Sequence, residues 1–231
     1  MFKRVLPIII VMLFATTVIS CVMIADTMIR SNAENKDFEN LAALIQTQSE
    51  KHTDEKHNID SKPTETKLES IFTRNLNPLY KKNSDCIGWI CIPNTKVDYP
   101  VMHTPQDPQK YLRKNFDCEY SSSGVPFLQE NNTLDSDNLI IYGHNMKNGT
   151  QFSDLKNYLN ADFCDSHSVI EYETKSGVRY FIVETVIKTD IYDEIYNQIK
   201  NDDDTLILST CYGSTKSGRL IIIAKEAKAD G

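Results

Sequence analysis

Hydrophobic and polar positions divide the chain into regions of different pattern. A run of 21 uncharged residues lies between Arg4 and Asp26. As a helix rising about 1.5 Å per residue it would reach about 31 Å, which is enough to cross a bilayer. The next stretch is polar with one short amphipathic patch, and the remainder alternates apolar runs with turn residues. We therefore predict an anchor with a short tip, a polar stalk containing one helix, and a folded domain, over 1–30, 31–67 and 68–231.

The charges beside the apolar run predict its orientation. Lys3 and Arg4 precede it, so the positive-inside tendency places the N-terminus in the cytoplasm and the folded domain outside the cell. One alternative is a lipoprotein cleavage site, because Val18–Cys21 reads "VISC" and such a site would leave Cys21 lipidated. The apolar run continues past Cys21, which favours an uncleaved single-pass anchor in the cell membrane. Either route tethers the domain outside.

The folded domain reads as mostly β. Several of its apolar runs lack a polar face, which predicts a closed sheet with helices packed around it. We read that sheet as one barrel in an antiparallel setting. Turn residues such as Gly124 separate the runs. Eight runs have strand character: "IGWICIP", "KVDYPVM", "GVPFLQ", "NLIIYGH", "SVIEYET", "VRYFIVETVI", "TLILSTC" and "RLIIIAKE".

Two segments of the domain have helical spacing. "LESIFTRNLNPLYKKNSD" opens the domain with apolar residues at Leu68, Ile71, Phe72 and Leu76, which should lie on the barrel. "QFSDLKNYLNADF" lies between the fourth and fifth strands, with Ser153 as its expected cap and an apolar face of Phe152, Leu155 and Leu159.

A cysteine and an arginine stand where two of the strands meet. In "TLILSTC" strand alternation places Ile207, Ser209 and Cys211 on one face, with Cys211 at the strand's end. The polar, glycine-bearing turn "YGSTKSG" predicts an antiparallel return, so Arg219 begins the next strand near the level of Cys211. A buried arginine needs an anionic partner, which suggests that Arg219 serves a group that becomes negative during a reaction.

A thiol becomes nucleophilic as the thiolate, which requires a base or a positive neighbour. His144 ends the apolar strand of "NLIIYGHN", as Cys211 ends its own strand. The other histidines lie in the stalk or in polar loops: His52, His57, His103 and His167. The pattern therefore predicts a Cys211–His144 pair on one rim of the barrel.

Each of these residues also has a purely structural interpretation. Cys211 could be an inert core residue, His144 could cap a loop, and Arg219 could pair with one of the acidic residues at 202–204. That acidic run itself fits a solvated turn better than a calcium site. Only the combination points to catalysis.

Composition and charge narrow the functional classes. The net charge of −7 argues against a nucleic-acid binder, which would carry a basic face. Cys21 lies in the anchor, and the odd number of remaining cysteines leaves at least one thiol free or paired with another chain. We interpret four as packing or incidental thiols: Cys86, Cys91, Cys118 and Cys164. Neither C-x-x-C nor H-E-x-x-H occurs, so we predict no metal and no cofactor.

The residues around this pattern resemble the sortase family, cysteine transpeptidases of the Gram-positive cell surface. "LSTC" with an arginine eight residues later, the histidine of "YGHN" and the N-terminal anchor carry the resemblance. The phrases "GWICIPNTKVDYPVM", "YLRKNFD" and "IIYGHNMKNGTQFSDLKNYL" resemble class B in particular. The resemblance implies an eight-stranded sortase barrel with N-terminal helices and a catalytic trio of His144, Cys211 and Arg219. We add five residues near the trio as expected substrate contacts: Tyr142, Asn145, Ser209, Thr210 and Tyr212.

The resemblance also implies a reaction and its partners. Cys211 would cleave a C-terminal sorting signal of a secreted protein after threonine, and the thioacyl product would pass to an amine of a peptidoglycan precursor. Two alternatives are an extracellular cysteine protease that hydrolyses its substrate and a non-catalytic wall-binding module. A papain-like enzyme fits poorly, because cysteine precedes histidine there and a different pattern surrounds it.

Two features depart from class B. Members usually insert a long helix-bearing loop between the sixth and seventh strands, and here that interval is short. Tyr212 follows the cysteine where an acidic residue is frequent. Because the loop helps to shape the substrate groove, the sorting motif is left open.

Overall fold

A computed structural model describes residues 2–45, 74–133, 136–196 and 204–227. The chain divides into two compact units, Met1–Glu39 and Asn40–Gly231. The predicted stalk falls largely outside the described residues, as do Leu68, Ile71 and Phe72 of the helix predicted to follow it.

The first helix, α1, covers Phe2–Ile45. Its described stretch Ile9–Ile45 contains an 18-residue window with a mean hydropathy of 2.3, and none of the residues in that window is buried. This helix is therefore long and apolar enough to cross a membrane. The hydroxyls of Thr16 and Ser20 each donate a hydrogen bond to a backbone carbonyl about one turn earlier in the helix. A separate stalk helix was expected from residue 38. The helix is instead continuous there, because the chain has neither glycine nor proline between residues 8 and 45 to break it.

All eight predicted strands form. Their bounds are β1 Cys86–Cys91, β2 Asp98–Met102, β3 Phe127–Leu128, β4 Asn138–Tyr142, β5 Val169–Thr174, β6 Gly177–Asp190, β7 Thr205–Cys211 and β8 Gly218–Glu226. They close into a barrel in the order β1-β2-β3-β4-β7-β8-β6-β5. The predicted eight-stranded barrel is therefore confirmed.

The barrel is mixed rather than antiparallel throughout. β4 pairs with β7 in parallel, and β2 pairs with β3 in parallel. Parallel neighbours need a crossover, and the chain between β4 and β7 supplies one that includes β5 and β6. The parallel β4–β7 pair brings the C-terminal ends of both strands to the same edge of the barrel.

Short helical segments lie outside the strands. Helix α2, Asn77–Lys82, begins with a proline in its first turn and buries Leu79. A 3₁₀ segment covers Lys110–Leu112. The predicted helix after β4 forms as a second 3₁₀ segment, Phe152–Leu159, followed by α3, Ala161–Ser166.

Two details of that predicted helix are wrong. Ser153 does not cap it, because the serine is buried within the 3₁₀ segment; Asn160 instead caps α3 by accepting from the backbone N–H groups of Asp162 and Phe163. Leu159 is exposed while Phe152 and Leu155 are buried. The three-residue turn of a 3₁₀ segment accounts for the difference, since it separates Leu159 from the face that 3.6-residue spacing predicts.

Strand β7 lies between β4 and β8 in the barrel core. Thr205–Thr210 are all buried, and only Cys211 at the strand's end is exposed. One face of the three strands forms a cluster of isoleucines, with Tyr142 and Tyr196 packed against it: Ile140, Ile207, Ile221 and Ile223. The rigid, buried strand therefore delivers Cys211 to the surface at a defined position.

Candidate active site

A cleft of about 930 Å³ opens at the edge where β4 and β7 end. Its walls come from the chain around the first 3₁₀ segment, from β3 and β4, from the β6–β7 connection and from the β7–β8 hairpin. Of the eight residues predicted for the site, six line the cleft: Tyr142, His144, Ser209, Thr210, Cys211 and Arg219. Asn145 and Tyr212 do not line it.

The structure decides against the core interpretation of Cys211. The residue is exposed and carries a free thiol, whereas every other residue of β7 is buried. A cysteine that only filled the core would have been placed within the buried run. The thiol is instead accessible to a substrate in the cleft.

The three predicted catalytic residues all line the cleft. Tyr142 of β4 pairs with Ser209 of β7 in parallel, and the Gly143 N–H donates to the Ser209 carbonyl at 3.1 Å. His144 lies two residues past the end of β4 and Cys211 ends β7, and both line the cleft. On the other side of β7, Cys211 pairs directly with Arg219 of β8.

Tight packing holds the chain that carries His144. A Cβ atom on Gly143 would lie 2.5 Å from the Phe152 ring, so only glycine fits at that position. The Phe152 N–H donates to the His144 carbonyl at 2.9 Å, and the Thr210 hydroxyl donates to the Gly143 carbonyl at 2.8 Å. The segment is thereby tied to both the second 3₁₀ segment and β7.

The hydrogen bond of His144 determines which ring nitrogen can accept a proton. Nε2 lies 2.9 Å from the carbonyl oxygen of Leu112. A carbonyl oxygen only accepts, so Nε2 carries the hydrogen and, in the neutral ring, Nδ1 is the basic atom. Burial lowers the pKa of His144 below its ordinary value, the charge of Arg113 lowers it further, and the bond to Leu112 opposes both effects. The ring is thus held neutral near pH 7.

The lowered pKa of His144 predicts a pH-dependent contribution to stability. The unfolded chain takes up a proton at His144 below pH about 6.5, whereas the folded chain resists, so the free energy of unfolding should fall as the pH falls from about 7 to 5. His144→Gln keeps an N–H for Leu112 and does not titrate. In urea unfolding across that range the variant should show the weaker pH dependence, and the two dependences should run parallel from pH 8 to 9. Parallel curves throughout would contradict the assignment.

Arg219 is held by its own turn. Its Nη1 donates to the carbonyls of Lys216 at 3.0 Å and Gly218 at 2.8 Å. The described part of the chain shows no ion pair at Arg219. Asp204 precedes β7, about 23 Å from Cys211 at roughly 3.3 Å per residue, so the structural ion pair is ruled out for Asp204. Asp202 and Asp203 lie outside the described residues.

Tyrosines and a glutamine complete the wall beside the trio. Tyr142 donates its hydroxyl to Gln129 at 3.3 Å, and the hydroxyls of Tyr196 and Ser209 lie 3.0 Å apart. Burial raises the pKa of Tyr142 to about 12 and raises that of Tyr196 as well, so both phenols remain neutral donors. Sequence reasoning did not assign Gln129, Tyr196 or Leu112 to the site, although Gln129 ends the predicted strand "GVPFLQ" and Leu112 lies in "YLRKNFD".

The cleft is acidic apart from one guanidinium. Asp107, Glu130 and Asp193 line it, and Arg219 is the only lysine or arginine among the lining residues. The three carboxylates make the rim of the cleft negative, and the Arg219 guanidinium places one positive charge beside Cys211. Such a field attracts cationic groups to the rim while offering donors to an anion at Cys211.

Comparison with known proteins places this chain in a family. The sequence model of the sortase domain matches residues 90–227, which covers all eight strands except the start of β1. The chain belongs to the sortase family. Members of this family are cysteine transpeptidases, and the predicted membership is confirmed.

Relatives of this sortase domain include proteins named Sortase B. The chain is 42% identical to Sortase B of Listeria monocytogenes over 112 residues, which are 47% of this chain and 44% of that protein. It is 29% identical to Sortase B of Staphylococcus aureus over 205 residues, which are 87% of this chain and 77% of that protein. The likeness to class B is therefore confirmed, although the Listeria alignment spans less than half of that relative's length.

The barrel also matches solved sortase structures. A Staphylococcus aureus sortase B–substrate complex superposes with a TM-score of 0.59 at 27% identity, covering 67% of this chain and 85% of the other. The β6–β7 connection of this sortase spans only 191–204, with a helical turn at Ile195 and Tyr196 and with 197–203 outside the described residues. The short connection still contributes Ile191, Tyr192, Asp193 and Tyr196 to the cleft.

The other cysteines of the barrel unit do not line the cleft: Cys86, Cys91, Cys118 and Cys164. Burial raises the pKa of both Cys86 and Cys91 to about 12, which suppresses their thiolates. Cys118 and Cys164 are half-buried, and all six cysteines carry free thiols. No group of three or more potential metal ligands occurs among the described residues.

Proposed function

We propose that this protein is a membrane-tethered transpeptidase that cleaves a C-terminal sorting signal after threonine and transfers the protein to an amine of a peptidoglycan precursor. One observation carries the proposal: the exposed Cys211 lines one cleft together with His144, which follows the end of β4, and with Arg219, its pairing partner on β8. Nucleophile, proton carrier and anion stabiliser thus meet at one cleft.

The reaction begins with Cys211. As its sulfur attacks the threonine carbonyl carbon of the bound signal, the thiol gives its proton to Nδ1 of His144, and a tetrahedral oxyanion forms next to Arg219. The guanidinium donates charge-assisted hydrogen bonds that strengthen as the negative charge develops. Collapse breaks the peptide bond and leaves a thioacyl enzyme.

His144 handles the protons of both halves of the reaction. With Nε2 held by Leu112, Nδ1 is the atom that passes a proton to the departing amine. The neutral ring left behind accepts a proton at Nδ1 from the incoming amine as that amine attacks the thioester. That proton passes to the Cys211 sulfur as the thioester bond breaks, so the cycle ends with a new amide bond, a free Cys211 thiol and a neutral His144.

The cleft supports an amine acceptor over water. Its rim carries Asp107, Glu130 and Asp193, and these carboxylates concentrate cationic amines near the thioester. Tyr142 and Tyr196 present neutral hydroxyls and aromatic faces on which an extended peptide can lie. We assign substrate contacts to Tyr142, Ser209 and Thr210, while Asn145 and Tyr212 lie outside the cleft lining.

The proposal includes the orientation of the chain. Lys3 and Arg4 precede the apolar part of α1, so the barrel lies on the outer side of the membrane, where secreted proteins and peptidoglycan precursors are found. Labelling of Cys211 in intact cells by a membrane-impermeant thiol reagent tests this orientation.

The distinguishing experiment compares transfer with hydrolysis. Full-length protein in detergent micelles is incubated with threonine-containing sorting-signal peptides, with and without an acceptor amine such as an oligoglycine or a diaminopimelate-bearing peptide. We expect mass spectrometry to detect a thioacyl adduct on Cys211 and an amide conjugate that forms at the expense of the hydrolysed product. Hydrolysis unaffected by the amine would favour a protease. The absence of both products across the peptide panel would favour a wall-binding module.

A further inference from the structure

The pairing of β4 with β7 stops one rung short of Cys211. The Gly143 N–H donates to the Ser209 carbonyl at 3.1 Å, just beyond the last residue of β4. In a parallel ladder, donors on one strand recur every second residue. The next rung would run from the backbone N–H of residue 145 to the carbonyl of Cys211.

The backbone turns away before that rung can form. Asn145 makes an isolated antiparallel bridge with Gln151, and the His144 carbonyl accepts from Phe152. The missing rung is made by a side chain instead: Nδ2 of Asn145 donates to the Cys211 carbonyl at 2.9 Å. The Asn145 amide thus extends the ladder past the end of β4.

We infer that Asn145 is a positioning residue that sets the Cys211 thiol relative to His144. The inference rests on the proposed function, in which both groups act on one peptide bond. Asn145 is adjacent to His144, so this single hydrogen bond links the imidazole-bearing segment to the thiol-bearing residue. On its other side Cys211 is held by pairing with Arg219. Loss of the Asn145 bond would free the β4 side of the Cys211 backbone and change the direction of its Cβ–Sγ bond.

The test uses two substitutions and a matched control. Asn145→Ala removes the donor, and Asn145→Asp keeps the side-chain shape but offers only acceptors when ionised. Asn148→Asp places the same charge in the same loop, and it preserves the acceptor that Asn148 Oδ1 offers to the Thr150 N–H and hydroxyl.

Transpeptidation is measured with full-length protein in micelles, and kcat is expressed per enzyme molecule that forms the thioacyl adduct. Both Asn145 variants should lose roughly 10- to 100-fold in kcat, the scale of a misplacement of about 1 Å, with KM within about threefold of wild type. Asn148→Asp should retain wild-type values. A merely structural role would reduce the amount of active enzyme and leave kcat per active molecule unchanged, which would overturn the inference.

Two further measurements do not depend on turnover. The carbonyl ¹³C resonance of Cys211 should shift in both Asn145 variants, because its hydrogen bond is lost. The pH profile of Cys211 alkylation by iodoacetamide should also change, because the thiol moves relative to His144 and Arg219. If wild type forms no thioacyl adduct, the proposed function fails and these two measurements still decide the role of Asn145. Unchanged values in both would overturn it.

Discussion

Replacement of Cys211 by alanine should abolish the thioacyl adduct and reduce transpeptidation by at least about 10⁴-fold, the order of loss when an acyl-transfer enzyme loses its nucleophile. No other described cysteine lines the cleft, and the buried thiols of Cys86 and Cys91 are held protonated by their raised pKa values. Because Cys211 is exposed at the end of β7, the free energy of unfolding should stay within about 0.5 kcal/mol of wild type. Conjugate yield by mass spectrometry and urea unfolding provide the two measurements.

Cys164→Ala is the matched control for this prediction. Cys164 is a half-buried thiol on α3, outside the cleft lining, so its removal should leave the conjugate yield unchanged. Residual transfer above one per cent in Cys211→Ala would mean that another group attacks the substrate, and the assignment of the nucleophile would then be wrong.

Arg219→Ala should reduce kcat by about 10² to 10³-fold, which corresponds to about 2.7–4 kcal/mol of transition-state stabilisation for one lost oxyanion donor. The effect should fall on kcat more than on KM, since the guanidinium meets full negative charge only in the tetrahedral intermediate. Arg219 pairs with Cys211 across the hairpin and is fixed by the carbonyls of Lys216 and Gly218. The measurement is steady-state transpeptidation with separate kcat and KM.

Two companion variants separate charge from geometry. Arg219→Lys keeps the positive charge but loses the planar fork that spans the turn carbonyls and the oxyanion, so it should recover only part of the lost rate. Lys216→Ala removes a neighbouring charge from the same turn and leaves the Lys216 carbonyl in place; its kcat should match wild type. Near-normal turnover in Arg219→Ala would remove the oxyanion role from this residue.

The strands were predictable because each carries its own signal. Runs such as "TLILSTC" and "RLIIIAKE" combine β-branched and apolar residues with turn residues at their ends, and all eight form strands within a few residues of their predicted bounds. The β7–β8 hairpin also had a local signal, because a polar, glycine-bearing turn between two adjacent apolar runs predicts that the second strand returns antiparallel to the first. The pairing of Cys211 with Arg219 therefore followed from the sequence and is confirmed.

The helix predicted after β4 was wrong in its periodicity, because α-helical spacing was assumed for a segment that is 3₁₀. Leu159 was assigned to the face of Phe152 by 3.6-residue spacing, and the segment adopts the 3₁₀ form in which Leu159 is exposed. Near the N-terminus the helical patch predicted from residue 38 is helical as far as Ile45, and it continues α1 without a break. A polar composition does not by itself interrupt a helix, and residues 8–45 contain neither glycine nor proline, the two residues least favourable in a helix interior.

By itself the sequence determined the strands, the apolar N-terminal helix, the β7–β8 hairpin and the residue types that the site holds. The meeting of His144 with Cys211 was decided by the tertiary structure. Their strands are separated by 62 residues, from the end of β4 to the start of β7. The C-terminal ends of two neighbouring strands share an edge only if those strands run parallel. Pairing in parallel depends on the crossover and on barrel closure, which no local pattern encodes. For the same reason the sequence could not show that the Asn145 amide reaches the Cys211 carbonyl, because that bond exists only after the two strands are aligned.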